Sequence, residues 1–273
     1  MNRKTLFHGM GAAAVLFAVA ACSNDSTSAT AGLNTEIQAT NRADAGEAAA
    51  MTVTQLAANE AYMGADVVNA GAAVSGVAVN CTGPDASGWY TCTAALENGL
   101  TITRQVRYWE GMSYGLHWNP GVTDSVNHAW SAAGTIDAIG RPGKVWTVDD
   151  AAAATMTLPA IAQGMMPQHS WTGTANRHQM STYTVNSVER IFDHTAHDTL
   201  TAVVFQMPRM TNPFPLSGSI IRNVTTVFTA GSDTRTVTRR FVVTFNGTGV
   251  ATLQDGALTC DLDLALRTVS NCH

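Results

Sequence analysis

Apolar and polar residues alternate along most of the chain beyond its first quarter. Near the carboxyl end, Phe241, Val243 and Phe245 alternate with Arg240 and Thr244. Successive side chains of a β-strand point to opposite faces, so this alternation predicts strands with one buried face and one solvated face. Valine and threonine are abundant in the same region, which favours strands further.

The first hairpin that this pattern predicts joins Trp89–Leu96 to Leu100–Trp109 through the loop Glu97-Asn98-Gly99. A three-residue loop pairs apolar residues with apolar residues, whereas a two-residue turn shifts the register and does not. Gly99 then stands where the loop needs a residue with positive φ. The predicted pairs are Leu96 with Leu100, Ala94 with Ile102, and Tyr90 with Val106.

Two further hairpins are predicted near the carboxyl end, and together they form a four-strand meander. The second pairs about Ser217–Thr229 with Thr234–Phe245. The third pairs Gly249–Leu253 with Ala257–Leu264 through the turn Asp255-Gly256. The predicted cross-strand partners are Ile220 with Val243, Thr226 with Val237, Leu253 with Leu258, and Ala251 with Cys260.

The rest of the chain adds earlier strands and one helix. Ala45–Met63 is rich in Ala, Met, Leu, Gln and Glu, which favours a helix. Asp149–Pro167 interrupts the strand pattern and predicts a short helix or a surface crossing. We predict an all-β fold of about nine or ten antiparallel strands, forming a curled sheet or a barrel-like structure, with one amino-terminal helix. The other candidate strands are Asp124–Ile136, Lys144–Val148, Met180–Phe192 and Thr199–Met207.

A positively charged start and a short apolar run mark the amino terminus. Arg3 and Lys4 precede the uncharged run Gly9–Ala21, which is shorter than the roughly 20 apolar residues of a membrane-spanning helix. Such a run is typical of a secretory signal. It ends in Val19-Ala20-Ala21-Cys22, and these residues resemble the lipobox of bacterial lipoproteins. The alternative is an ordinary secretory signal that is cut after Ala21.

The resemblance implies that residues 1–21 are a signal peptide and that Cys22 is the lipidated amino terminus of the mature chain. Its acyl chains would hold the protein to a membrane. Ser23 stands where an Asp would retain a lipoprotein at the inner membrane, so we expect the outer membrane, facing the periplasm or the surface. Residues 22–44 predict a flexible tether, and residues 45–273 a single β-rich domain with an amino-terminal helix.

Four cysteines follow Cys22, namely Cys81, Cys92, Cys260 and Cys272. An even number of cysteines in an exported chain indicates disulfides. Pairing of neighbours gives Cys81–Cys92 and Cys260–Cys272, which we favour, and the two other pairings stay open. The cysteines lack Cys-x-x-Cys spacing, which disfavours metal or redox chemistry.

Two stretches contain residue types that enzymes use. Gly111-Met112-Ser113-Tyr114-Gly115 fits the pattern G-x-S-x-G, but the residues after it start a helix poorly, so a hairpin loop is the better interpretation. The stretch from Asp193 to Asp198 lies between two predicted strands and is expected at a solvated hairpin tip. It could hold zinc if His128, His169 or His178 came close. Its weak metal candidates are Asp193, His194, His197 and Asp198.

Two other sets of residues have a structural and a functional interpretation. Asp261 and Asp263 alternate with leucines, which indicates the solvated side of a strand and not an acid–base pair. The middle third of the chain is rich in tryptophan, which fills a core more often than it lines a ligand cavity. These tryptophans are Trp109, Trp118, Trp130, Trp146 and Trp171.

Composition excludes two classes of protein and leaves the function open. Charged residues make up 13% of the chain and the net charge is −5, which excludes a basic nucleic-acid binder. An apolar content of 45% argues against a long disordered chain. We expect a lipid-anchored, non-enzymatic envelope protein without a cofactor, which binds a small apolar ligand or an envelope protein, or serves structurally. The alternative is a membrane-tethered hydrolase or metal-dependent enzyme using Ser113, or His194 and His197.

Overall fold

The computed structural model of the chain describes residues 28–63, 79–95, 99–119, 121–137, 145–158, 167–185, 187–209 and 211–273. The predicted signal peptide and Cys22 lie outside these ranges. Within them the chain forms one helix and thirteen strands. In chain order the elements are α1 (Ser28–Met63), β1 (Val79–Thr82), β2 (Tyr90–Ala95), β3 (Leu100–Glu110), β4 (Ser113–Gly115), β5 (Ser125–Asp137), β6 (Val145–Thr157), β7 (Gln168–Val185), β8 (Val188–Gln206), β9 (Ser217–Ala230), β10 (Asp233–Thr244), β11 (Val250–Asp255), β12 (Leu258–Asp263) and β13 (Thr268–Ser270).

The strands form one antiparallel sheet in which neighbours in sequence are neighbours in space. The order is β1-β2-β3-β5-β6-β7-β8-β9-β10-β11-β12-β13, and the short β4 pairs with β3 beside this path. Among the described strands, β1 and β13 end the path, so the sheet is open. This confirms the prediction of an all-β meander with one amino-terminal helix, and the sheet has more strands than predicted.

The predicted registers are confirmed for two hairpins and wrong for the third. Ala94 lies opposite Ile102 in the first hairpin, where Gly99 has the predicted positive φ of 88°. Ile220 lies opposite Val243 in the second. In the third hairpin Leu253 faces Cys260, and not Leu258 as predicted. The turn occurs one residue later, which changes each partner by two positions and keeps every side chain on its predicted face.

Two central segments differ from the secondary structure that the sequence predicts. Residues 149–157, predicted as a helix or surface crossing, lie in β6, because β5 and β7 pair with that strand along its whole length. Pairing on both sides outweighs the weak strand propensity of its four consecutive alanines. Met180–Phe192, predicted as one strand, spans the turn between β7 and β8, where Ser187 has a φ of 64°. Only two residues, Asn186 and Ser187, stand between the paired Val185 and Val188 in the chain, so the turn interrupts the strand-like pattern of the sequence only briefly.

Helix α1 begins at Ser28 and not at the predicted Ala45. Residues 28–44, predicted as part of a flexible tether, are therefore helical. Ile37 is buried against Phe228 and Val237 of the sheet. Contacts with the sheet stabilise this part of the helix, whereas its sequence has too weak an apolar period to predict it.

The hydrophobic core lies between α1 and one side of the sheet, which we call the inner face. The helix contributes small side chains, including Ala45, Ala49 and Val53. Small residues let the helix approach the sheet closely, and a Cβ atom added to Gly46 would lie 2.5 Å from Cγ2 of Val269. The sheet contributes larger fully buried side chains, among them Tyr108, Met156, Trp171, Phe205, Phe241, Leu253 and Leu262.

The two disulfides connect the outermost strands to the sheet. Cys81 of β1 is bonded to Cys92 of β2, and Cys260 of β12 is bonded to Cys272, which follows β13. The predicted pairing is thereby confirmed. An edge strand has hydrogen-bonding neighbours on one side only, so each bridge holds the part of the sheet that is easiest to detach.

Candidate functional site

The stretch from Asp193 to Asp198 was predicted at a hairpin tip. It lies instead within the long strand β8. Alternation along this strand divides the four metal candidates between the two sides of the sheet. His194 and Asp198 are buried on the inner face, whereas His197 is exposed on the opposite, outer face. The sequence therefore brings the right residue types together in the chain but not in space.

The outer pair makes separate contacts with β7. Asp193 Oδ1 lies 2.9 Å from His178 Nε2, and His197 Nδ1 lies 2.6 Å from Asn176 Oδ1. His128 and His169, also considered as partners, lie beside Trp171 and Trp118. Within the described residues, no group of three or more potential ligands could hold a metal ion.

The inner pair belongs to a buried ion cluster that links α1 to the sheet. Arg222 of β9 donates from Nη1 to both carboxylate oxygens of Asp198, at 2.9 and 2.7 Å. Its Nη2 donates to Asp44 Oδ2 of α1 at 2.8 Å. His194 Nε2 lies 3.3 Å from the same Asp44 oxygen. Arg177 Nε lies 3.8 Å from Asp198 Oδ2, so two carboxylates face two guanidinium groups.

Hydrogen bonds extend this cluster along the helix. The hydroxyl of Thr226 donates to Asn41 Oδ1 of α1 at 2.9 Å, and His194 Nδ1 lies 3.1 Å from the Thr226 oxygen. Two residues of α1 thus orient the histidine, Asp44 by direct contact and Asn41 through Thr226.

A second ion pair fixes the helix to a more distant strand. Arg42 of α1 donates to Asp255 Oδ2 of β11, at 3.0 Å from Nε and 2.7 Å from Nη2. Asp44 contacts β8 and β9, whereas Arg42 contacts β11. The helix is therefore held to the sheet by charged groups at two separate places.

The opposite charges of the cluster stabilise one another's ionised forms, which burial alone would disfavour. Burial alone would raise the pKa of Asp44, but Arg222 and a hydrogen bond from His194 outweigh it and hold that pKa well below its ordinary value. Burial would likewise lower the pKa of Arg222, but Asp44 and Asp198 outweigh it and raise that pKa. Both groups therefore stay ionised beneath the helix.

Asp150 of β6 lies at the margin of the cluster and is less well satisfied. Its Oδ2 accepts a hydrogen bond from Gln179 at 3.2 Å, whereas its buried Oδ1 has no hydrogen-bond partner among the described residues. Burial raises the pKa of Asp150, although Arg177 and Gln179 oppose that shift. The surroundings of Asp150 therefore favour its neutral form over the charged form, unlike those of Asp44.

The other predicted candidates have structural contacts. Ser113 lies in β4, and its Oγ donates to the carbonyl oxygen of Glu110 at 3.1 Å, as in a hairpin loop. Asp261 accepts a hydrogen bond from Asn271, and Asp263 accepts two from the backbone of the following turn. These contacts agree with the solvated strand side that was predicted.

The described tryptophan side chains range from fully buried to partly buried. Trp171 is fully buried and Trp118 packs against the core, whereas the side chain of Trp146 lies outside the described part. A cavity of about 300 Å³ is lined mainly by small and polar side chains, with one tryptophan among them. Its lining consists of Thr103, Gln105, Ala129, Trp130, Ser131, Ala151, Ala152, Ala153, Thr174 and Asn176.

Two residues central to the cluster were missed in the sequence, Asp44 and Arg222. Arg222 had a detectable signal, because it alternates with Ile220 and Val224 and therefore belongs to the buried side of its strand. Asp44 had none, because it lay in a stretch predicted to be a tether. A buried arginine needs a carboxylate partner, but the sequence does not say which one.

Comparison with family models, with curated proteins and with solved structures finds no match for this chain. Within the described residues, no helix has the length and apolar character that crossing a membrane requires.

Proposed function

We propose that this protein is a lipid-anchored component of a bacterial cell envelope, whose β-sheet domain serves as a binding or structural module and not as an enzyme. The observation that carries the proposal is the leader, in which Arg3 and Lys4 precede an apolar run ending in Val19-Ala20-Ala21-Cys22. Cys22 would bear the acyl chains, which together supply enough buried CH₂ groups for lasting attachment. Ser23 favours the outer membrane as the destination.

The connection between Cys22 and the domain supports this proposal. Only five residues separate Cys22 from Ser28, the first residue of α1. The helix is then held to the sheet through Asp44 and Arg42. An anchor at Cys22 would therefore be joined to the folded domain through a helix that is bound to it by ion pairs and apolar packing.

The two disulfides also support an exported protein. Bridges such as Cys81–Cys92 persist in oxidising compartments and are rare in the cytosol. Removal of the leader would take away two positive charges and change the net charge from −5 to −7. The separation of His194 from His197 and the hairpin position of Ser113 favour a binding or structural role over the enzymatic alternative.

Metabolic labelling with a palmitate analogue tests the proposal. We expect the wild-type chain to incorporate the label and Cys22→Ala to lose it, together with its recovery in the membrane fraction. Ser26→Ala is the matched control, because it changes a neighbouring residue and leaves the cysteine in place. Equal labelling of the wild type and Cys22→Ala would show that the protein is not lipidated there.

A further inference from the structure

An exposed apolar patch lies at the end of the sheet that is remote from the start of α1. Ile37, near that start, packs beside the turn between β9 and β10. The connection from β3 to β5 lies at the other end, because Trp109 pairs with Ser125, and the register continues from there across the sheet to Ser217, where β9 begins. If Cys22 is the anchor, this connection faces away from the anchored end.

Four side chains of this connection are unusually exposed for apolar groups. Met112 is 99% exposed, Leu116 68%, Val122 49% and Tyr114 41%. Tyr114 lies within the short strand β4, Met112 immediately precedes that strand and Leu116 immediately follows it. We call these four residues the hairpin patch. Three of the four lie within residues 112–116, and exposed apolar groups that lie close together mark interaction sites in soluble proteins.

The hairpin patch adjoins three aromatic rings that surround one arginine. The guanidinium carbon of Arg107 lies 4.5 Å from the ring centre of Trp89, 5.0 Å from that of Trp109 and 5.2 Å from that of Tyr114. Asn127 Oδ1 accepts hydrogen bonds from Arg107 and from Trp109 Nε1. Met, Tyr, Trp and Arg are the residue types enriched in the cores of protein–protein interfaces.

The backbone that carries the patch is held in place by hydrogen bonds. The amide of Gly111 donates to Asp124 Oδ2, and the amides of Val122 and Thr123 donate to the carbonyl oxygen of Asn119. The hydroxyl of Tyr90 donates to the carbonyl oxygen of Leu116 at 2.6 Å. A patch that is already ordered loses little conformational entropy when a partner binds.

Carboxylates around the patch indicate the charge of its partner. Glu110 and Asp124 flank the β3–β4 turn, and Asp85 accepts a hydrogen bond from the backbone of Trp89. A hydrogen bond from Ser87 holds the pKa of Asp85 below its ordinary value. These three carboxylates outnumber Arg107, so the patch attracts cationic groups and repels an anionic membrane surface.

We propose that the hairpin patch binds a segment of another envelope protein that presents an aliphatic or aromatic side chain flanked by lysine or arginine. The apolar side chain packs on Met112 and Leu116, and the basic residues pair with Glu110 and Asp124. This inference rests on the proposed role as a binding module but not on lipidation at Cys22.

Selection from a phage-displayed library of random peptides, with the Cys22→Ala chain as bait, tests the proposal. We expect enrichment of peptides that combine Lys or Arg with Trp, Phe, Leu or Met. The double variant Met112→Asp with Leu116→Asp should weaken binding of a selected peptide at least about tenfold. Val188→Asp, at a position 41% exposed beside the β7–β8 turn, is the matched control and should bind like the parent. Binding should weaken as salt concentration rises.

Three results would overturn this inference. The first is enrichment of acidic or uncharged peptides, or binding that the double variant leaves unchanged. The second is binding to phosphatidylcholine or phosphatidylglycerol vesicles that the double variant abolishes, which would make the patch a membrane contact. The third is a dimer in solution that the double variant dissociates, which would make a second copy the occupant. Because the bait lacks Cys22, these results are independent of the palmitate experiment.

Discussion

The carboxylate of Asp44 lies 2.8 Å from the guanidinium group of Arg222, which joins two residues 178 positions apart in the chain. Arg222 also binds Asp198, so removal of Asp44 leaves a buried arginine with half of its partners. Loss of one member of a buried ion pair destabilises a protein, because the remaining buried charge loses a counter-charge that water does not replace.

Asp44→Ala should therefore lower the free energy of unfolding by about 3 kcal/mol. Urea denaturation followed by circular dichroism measures this change. Asp193→Ala is the matched control, because Asp193 is also paired, with His178, but its side chain is 40% exposed. A surface pair of this kind contributes about 0–1 kcal/mol. Equal effects of the two substitutions would show that the ion cluster does not hold the helix.

Acid should weaken the folded state through the same carboxylate. The folded-state pKa of Asp44 lies below its unfolded-state pKa, so its contribution to stability is complete above the unfolded value and is lost as the pH falls toward the folded value. The wild-type free energy of unfolding should fall as the pH drops below about 4, the ordinary carboxyl range. In Asp44→Asn this fall should be smaller. Denaturation curves between neutral pH and acid test it, and identical slopes would contradict it.

Asp150 should show the opposite behaviour. Its folded-state pKa is raised, so folding favours the neutral acid, and that stabilisation is lost as the pH rises through the folded-state value. Asp150→Asn keeps an oxygen that can accept from Gln179 and removes the buried charge. We expect it to raise the free energy of unfolding at neutral pH by about 1 kcal/mol, with a smaller effect in acid. A destabilised variant at neutral pH would contradict this expectation.

The sequence predicted the hairpins well because pairing there follows from local alternation. Tyr90 with Val106 and Thr226 with Val237 are matched as predicted, since one register buries the apolar residues and the alternative does not. The alanines of β6 could not be assigned this way, because alanine fits either face and either element. Their strand is specified by β5 and β7 on both sides.

The ion cluster could be predicted only in part. The sequence singled out His194 and Asp198 by residue type, but it also included Asp193 and His197, which lie on the outer face. Residues at even spacing share a face, so the division was readable once the stretch was known to be a strand. The contribution of Asp44 depends on how the helix docks, which leaves no pattern in the local sequence.

Each disulfide should protect its own edge of the sheet. Replacing both Cys81 and Cys92 with serine should lower the free energy of unfolding by about 2–3 kcal/mol and accelerate amide hydrogen exchange in β1 and β2. Exchange in β12 should stay unchanged, because Cys260–Cys272 still connects it to the last segment. The reciprocal variant serves as the control and should affect the opposite edge. Uniform acceleration across the sheet in either variant would contradict local protection.

Gly46 tests how closely α1 packs on the sheet. Alanine is favoured over glycine in a helix by about 1 kcal/mol, so Gly46→Ala would stabilise a free helix. Here the new Cβ would lie 2.5 Å from Val269 Cγ2 and 3.0 Å from Leu262 Cδ1. Leu262 is fully buried, and overpacking of a core costs about 1–3 kcal/mol. We expect a net loss of stability in thermal denaturation.

Two further variants distinguish steric conflict from other causes of that loss. Thr54→Ala changes an exposed position of the same helix and should leave the melting temperature equal or slightly higher, because alanine is the better helix former. Combining Gly46→Ala with Val269→Ala removes the closest clashing atom, so the double variant should be more stable than the sum of the two single effects predicts. Strict additivity, or a stabilised Gly46→Ala single variant, would mean that the helix does not press against β13.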